Sequence, residues 1–480
     1  MNAHEEKLTR EGLQNALIDF GLWLLRHRLR TPETKFELPD LPPLVHGAYD
    51  ALKIDIACDQ PEKENRVQLI FQALTEPEAT SLTRLPITAL SLSALENPTA
   101  ENEFQQAFDE AWQVFEQLPK DATGRFGTFG YMMSYFGSRV ALGAKDHPTL
   151  SVATYWKVLA AATFATKQVA GEQTENSHKN EVLLFSGDIA GLDEFMRVKT
   201  AKQAAKNMRA RSFYVQMLSQ VLARAILREF NLPLCNLLFE GASRFLLVLP
   251  ADETKLNPLL TELSRRLLFL HGPALSLQSA SRVVPLAEFF DRAYNDKKKT
   301  AYQMHSAQLQ AATSRSKHRL LRHLLDNPTG ATAEFNFQQL FTKHNGHHPA
   351  ECNWCGVELT EPEIIANRAP EDKDKVPRCS QCLYFGWTAS GRHGLAQEIA
   401  RAQFLYLKNS LPATMSLSAF RPDVTKHFVE SSWQPKEAAN NKNDGSYTNA
   451  PTWRECLGYL GFECILSQTL PRWLRAKCFC

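Results

Sequence analysis

The feature that most constrains this 480-residue sequence lies near its middle, where residues 181–250 carry a strand, a long helix and a hairpin in direct succession. Val182-Leu183-Leu184-Phe185 is an unbroken apolar run of strand length that ends at Ser186-Gly187-Asp188. A helix over about 200–230 follows, with Met208, Phe213, Met217, Val221, Ala225 and Leu227 on its apolar face. Asn236-Leu237-Leu238-Phe239, a tight turn at Glu240-Gly241-Ala242, and Phe245-Leu246-Leu247-Val248-Leu249 stopped by Pro250 then read as a hairpin. A second helix over 256–270 and a strand over 275–279 complete a βαββαβ unit.

The expected class is therefore α+β and multidomain: a helical N-terminal domain, a ferredoxin-like (βαββαβ) palm domain, and a cysteine module with helices. Residues 1–175 read as helical. Leu13, Leu17, Phe20, Leu24 and Leu25 recur at helical spacing, and further helices are expected at 101–118 and 152–168. The polar stretch Gly171–Asn180 reads as a linker into the α+β unit, 176–284. Residues 285–346 form a basic helical linker, 347–408 the cysteine module, and 409–480 a C-terminal segment with no assignable structure. At roughly 150 residues per domain this length accommodates about three domains. A hydrophobic fraction of 44% is enough for real cores. The net charge of +2 excludes nucleic-acid binding by bulk charge and leaves only local patches. No run of about 18 apolar residues is present and the N-terminus lacks the pattern of a signal peptide, so a cytoplasmic protein with no membrane contact is expected.

Ten cysteines in a reducing compartment point to metal or buried thiols rather than disulfides. Cys352-Asn353-Trp354-Cys355 and Cys379-Ser380-Gln381-Cys382 form two C-x2-C pairs separated by residues 356–378. Each pair can aim two thiolates at one ion, and two pairs close a tetrahedral S4 shell that suits zinc. A closed shell has no open position, so Cys352, Cys355, Cys379 and Cys382 are expected to hold a structural Zn2+. The alternative is four unrelated buried thiols. His347 and His348 are substitute ligands on paper, with adjacent surface histidines the plainer explanation. Cys456, Cys464, Cys478 and Cys480 fit no recognised metal spacing and read as free buried thiols, with a second metal site as the alternative.

In palm-type polymerases and nucleotidyl cyclases, a carboxylate at the end of the first strand and another at the hairpin tip hold two metal ions. Asp188 occupies the first position here, and Asp193 follows one helical turn later. At the hairpin, Ser243 and Arg244 stand where the acids belong, and an arginine repels a metal cation rather than ligating it. The expected unit keeps the palm shape without two-metal chemistry, so no catalytic residue is assigned. The helix after Asp188 carries Arg197, Lys199, Lys202, Lys206, Arg209 and Arg211. A solvated face is one reading and a phosphate-contacting surface the other, with Arg209, Arg211 and the run Lys297-Lys298-Lys299 as candidate nucleic-acid contacts.

Three segments together resemble a known family. Ser186-Gly187-Asp188-Ile189-Ala190-Gly191-Leu192-Asp193-Glu194-Phe195 is similar to its GDISGIQ-x-F element, Arg209-Ala210-Arg211-Ser212-Phe213-Tyr214 to its LRGRSF element, and Asn236–Phe245 to its NLLYSGGGRF hairpin. Their order and spacing resemble the first palm domain of the large subunit of type III CRISPR effector complexes, nearest the III-A, Csm-type form. The paired cysteines and Arg401-Ala402-Gln403-Phe404-Leu405 also fit.

The resemblance implies an RNA-guided antiviral complex, with other type III subunits as partners and guide and target RNA met through the complex. In the family a second palm with a GGDD hairpin makes cyclic oligoadenylates from ATP, and an N-terminal HD domain degrades single-stranded DNA. This sequence contains neither a Gly-Gly pair nor a His-Asp dipeptide. Thr154-Tyr155-Trp156-Lys157 stands where the HD region has its catalytic dipeptide, and the expected form lacks the second palm. Three roles follow: a scaffold subunit without nuclease or cyclase activity; half of a cyclic oligoadenylate synthase completed by a second-palm subunit; or a zinc-containing nucleic-acid-binding adaptor. If ATP binds, the resemblance puts Gly187, Asp188, Ser212 and Gly241 along one side of its pocket.

Overall fold

A computed structural model of the chain describes residues 10–29, 40–54, 101–119, 124–142, 150–171, 180–199, 204–271, 275–291, 301–325, 351–356, 395–409 and 457–467, with Cys382 and Phe385, apart from a few positions inside those spans. The first part is helical: α1 (Arg10–Leu29), α2 (Pro43–Leu52), α3 (Glu101–Glu116), α4 (Arg125–Phe136) and α5 (Val152–Gly171). Their apolar stripes meet in an aromatic core. The Trp156 ring lies 5.4 Å from Phe129 and 5.7 Å from Phe126, and its indole N–H donates to Leu17 O at 2.8 Å. Tyr155 and Trp156, at the position compared above with a catalytic dipeptide, are thus core residues at 0% and 2% exposure.

Strand β1 (Glu181–Ala190) follows, then α6 (Leu192–Met196), α7 (Ala204–Glu229), the hairpin β2 (Leu237–Gly241) and β3 (Arg244–Leu249), α8 (Glu253–His271) and β4 (Ser276–Pro285). The sheet order is β2-β3-β1-β4, and every neighbouring pair is antiparallel. The expected strand–helix–hairpin–helix–strand sequence is therefore a mixed α/β unit with an antiparallel sheet. Along α7, Ala210, Tyr214, Met217, Leu218, Val221 and Ala225 are buried at intervals of three and four, and that stripe lays the helix on the sheet. Strand β1 is central and buried along nearly its whole length, as a strand covered on both faces must be. Helices α7 and α8 pack against the sheet, as do α5 and α9 (Ala301–Ser316).

Two expectations need correction. β1 does not stop at Phe185: it pairs with β4 from Glu181 to Ala190, so Asp188 lies within the strand. Ladder pairing on both sides carries polar residues that break the apolar run but keep extended backbone. β4 likewise extends to Pro285, well past 279.

The remaining elements are α10 (Arg322–Leu325), α11 (Leu395–Arg401), and a two-stranded antiparallel ladder of β5 (Phe404–Asn409) with β6 (Phe462–Ser467). That ladder gives the otherwise unassigned C-terminal segment one defined element. The linker at 172–179, Lys297-Lys298-Lys299, His347, His348, Cys379 and the asparagine-rich stretch after Lys436 lie outside the described residues. No helix among the described residues is long and apolar enough to cross a membrane.

Candidate functional site

The register of the sheet builds the first centre. Asp188 on β1 pairs across the ladder with Arg244 on β3, and Arg244 pairs in turn with Gly241 on β2. Gly241, Arg244 and Asp188 thus form one rung, with the hairpin turn beside it. Ala242 closes that turn with a φ of 54°, in the left-handed region. Asp188 is 1% exposed, and a carboxylate removed from water needs hydrogen-bonded counter-charge.

The structure supplies three donors. Ser243 Oγ donates to Asp188 Oδ1 at 3.0 Å, Arg244 Nε to Oδ2 at 3.0 Å, and Lys317 Nζ to Oδ2 at 2.8 Å. Lys317, just beyond α9, is a partner that sequence reading missed. It lay within the run Arg315, Lys317, Arg319, Arg322, where nothing distinguished it from a solvated charge.

Gly187, next to Asp188, faces the other side of the sheet. A Cβ there would stand 2.2 Å from the Phe245 ring. Glycine is required because the Phe245 ring closes directly over the backbone. Ser212 is exposed on α7. Of the four candidate nucleotide-binding residues, the structure therefore aligns Gly187, Asp188 and Gly241 along the hairpin end of the sheet and places Ser212 on a helix surface.

Cysteines form the second centre. The Sγ atoms of Cys352, Cys355 and Cys382 lie within 4.8 Å of one another, and all three residues are buried. Zinc–thiolate bonds of 2.3 Å in a tetrahedron put sulfurs about 3.8 Å apart, so these three fit one ion. Cys379, the fourth expected ligand, lies outside the described residues. The first pair sits on a tight knuckle: Gly356 N donates to Cys352 O at 2.8 Å, and Gly356 has a φ of 77°. A side chain at 356 would also strike Lys199, whose Cε would be 2.0 Å from the added Cβ.

The knuckle is docked on the segment between α6 and α7. Lys199 N donates to Trp354 O at 2.6 Å, and Lys199 Nζ pairs with Glu351 at 2.5 Å. Arg211 corrects an expectation here. As a candidate nucleic-acid contact it had to face solvent, yet it is 2% exposed. Its Nη2 donates to Cys382 Sγ at 2.9 Å and its Nη1 to Phe195 O, and its guanidinium lies over the Phe195 and Phe385 rings. Arg209 is exposed.

The unit is thus an antiparallel-sheet α/β domain with a buried carboxylate on an interior strand and a cysteine knuckle docked beside it. Residues 181–327 match the family model described as Csm1 subunit domain B. This part of the chain is thus similar to the Cas10/Csm1 large subunits of type III-A CRISPR systems. The CRISPR system single-strand-specific deoxyribonuclease Cas10/Csm1 (subtype III-A) of Methanocaldococcus jannaschii is 36% identical over 92 residues, 19% of this chain and 12% of that protein. Its counterpart from Streptococcus thermophilus is 23% identical over 218 residues, 42% of this chain and 27% of that protein. The matches therefore span well under a third of either relative. Among solved structures, a Csm1-Csm4 cassette in complex with AMPPNP aligns over 68% of this chain and 50% of that chain, with 14% identity and a TM-score of 0.47.

Proposed function

We propose that the chain serves as a large subunit of a type III CRISPR RNA-guided interference complex, acting as a scaffold through a ferredoxin-like palm that has no two-metal chemistry of its own. The observation that carries this reading is the occupancy of Asp188. A palm carboxylate works by offering lone pairs to divalent metal; here Ser243, Arg244 and Lys317 take them. A metal ion would have to displace two cations already paired with the acid, against their charge. The tyrosine and tryptophan buried at positions 155 and 156 likewise leave no metal-ligating pair at the position compared with the HD dipeptide.

On this reading the domain boundaries are 1–175, 176–284, 285–346, 347–408 and 409–480. The cysteine module is a structural zinc site of Cys352, Cys355, Cys379 and Cys382. Other type III subunits are the partners, and guide and target RNA are met through the assembled complex. Arg209 and the Lys297–Lys299 run remain the candidate nucleic-acid contacts.

The test is reconstitution. The full chain, expressed with the subunits encoded beside it, is expected to co-purify with guide RNA and to turn over no ATP when target RNA is added. A chain that never associates with a guide-bearing complex overturns the scaffold. Formation of cyclic oligoadenylate only when a second-palm subunit is added would replace it with the half-synthase reading. Metal analysis of the purified chain is expected to give one zinc, lost in Cys352→Ser and Cys382→Ser.

A further inference from the structure

Arg211, on α7, touches both the cysteine centre and α6. It leaves α7 near its N-terminal end and reaches Cys382 Sγ at 2.9 Å, the carbonyl oxygen of Phe195 near the end of α6, and two aromatic faces. The Phe195 and Phe385 rings are themselves 5.7 Å apart, edge to face, and the Tyr214 ring lies tilted 5.1 Å from Phe385. The guanidinium is thus enclosed on its faces by rings and at its edge by sulfur and carbonyl acceptors.

A buried cation is tolerated where it meets compensating negative charge. A zinc ion held by the three thiolates of Cys352, Cys355 and Cys382 already carries a negative charge in excess, spread over the sulfurs. A guanidinium donating to one of those sulfurs relieves that excess and fixes the sulfur in place, as hydrogen-bonded groups around metal ligands commonly do. Charge and geometry are thereby linked in both directions: metal favours the buried arginine, and the buried arginine favours metal.

We propose that Arg211 is the positioning cation of the cysteine centre, and that through it zinc loading sets the packing of α6 and α7 beside β1. The proposal rests on the metal reading above. Lys199 supplies the mechanical half of the link, since its backbone N–H and its ammonium hold Trp354 and Glu351 on the other side of the knuckle. When zinc leaves, Arg211 loses its counter-charge, and the elbow between α6 and α7 loosens.

The experiment follows zinc release from the purified full chain to a chromogenic chelator. Amide exchange across residues 192–214 is measured with and without metal. Arg211→Gln is expected to release zinc roughly 10-fold faster than the unaltered chain, with Arg211→Lys between the two because it keeps charge but not the planar fork. Chelation is expected to raise exchange across α6 and the start of α7 in the unaltered chain and to change it little in Arg211→Gln. Tyr214→Phe keeps its ring against Phe385 and loses the hydroxyl bond to His271, so it controls for general loosening and is expected to release zinc at the unaltered rate. If Arg211→Gln releases zinc no faster, or Tyr214→Phe accelerates release equally, the proposal is overturned while the metal site stands. If the unaltered chain binds no zinc, the metal reading falls and the proposal falls with it.

Discussion

Removing the two cations from Asp188 tests the central structural argument most directly. Asp188 is 1% exposed, whereas the Arg244 and Lys317 side chains are 47% and 36% exposed. Stripping a buried charge of its partners costs about 3–5 kcal/mol. Each cation here is partly in water, and the other survives its removal, so Arg244→Ala or Lys317→Ala alone should cost about 1 kcal/mol. The pair removed together leaves the carboxylate with Ser243 Oγ, and the cost should rise to about 3 kcal/mol, exceeding the sum of the singles by about 1 kcal/mol or more. A chain of several domains does not unfold in one step, so the assay is amide exchange in β1 and β3. At 1.4 kcal/mol per factor of ten, the double variant should lose about 100-fold in protection where each single variant loses about fivefold. Adding Asp188→Asn to the double variant removes the uncompensated charge and should restore most of the loss. Strictly additive singles, or a triple variant no better protected than the double, would refute the claim that Asp188 is an ionised acid neutralised by these two side chains.

Gly187→Ala should destabilise the sheet by about 1–3 kcal/mol through overpacking, because its methyl would stand 2.2 Å from the Phe245 ring; coupling it to Phe245→Leu should recover part of the loss in thermal melts. His271 is buried against Tyr214 at 2.9 Å, and burial pushes its pKa down from 6.5 to about 4. The unfolded chain takes up a proton there that the folded chain refuses, so stability is full above pH 6.5 and falls as pH drops toward 4, by up to about 3 kcal/mol. In His271→Gln the exchange protection of α8 should lose that part of its pH dependence, and an unchanged slope would count against the buried neutral imidazole. Gly356→Ala should weaken the knuckle because its φ of 77° is strained for a residue with a Cβ, and should be seen as zinc lost at lower chelator concentration.

The strand–helix–hairpin core was legible because its signals are local. Residues 182–185 are continuously apolar, α7 repeats its buried positions every three or four residues, and Pro250 ends β3. The cysteine knuckle was legible for the same reason, since the C-x2-C spacing of Cys352 and Cys355 contains its own geometry. What escaped depends on partners far along the chain. Arg211 sits on a helix rich in lysine and arginine, and its sulfur acceptor is 171 residues away, so local pattern could only read it as solvated. Lys317 reaches Asp188 from beyond α9. The β1 segment after Phe185 looked like a turn because Ser186, Gly187 and Asp188 are poor strand formers; pairing with both β3 and β4 overrides that preference. The β5–β6 ladder joins residue 404 to residue 467, a closure no short window can reveal.

The buried Asp188 and the buried Arg211 pose one physical problem, a charge removed from water that must be compensated. A palm must bury an acid in a sheet and then compensate its charge. Divalent metal does so reversibly, and the ion's bond to the substrate makes the compensation chemical work. Arg244 and Lys317 do so permanently, and the result is a fixed tie from β1 through β3 to the segment after α9. The cysteine centre follows the same logic in reverse. If that centre holds zinc as proposed, the negative charge belongs to its thiolates, and Arg211 on α7, which donates to Cys382 Sγ, answers it. On the scaffold reading proposed above, Arg244, Lys317 and Arg211 tie the sheet, the segment after α9 and the cysteine centre together, with positive charge that a catalytic palm would leave to its metals.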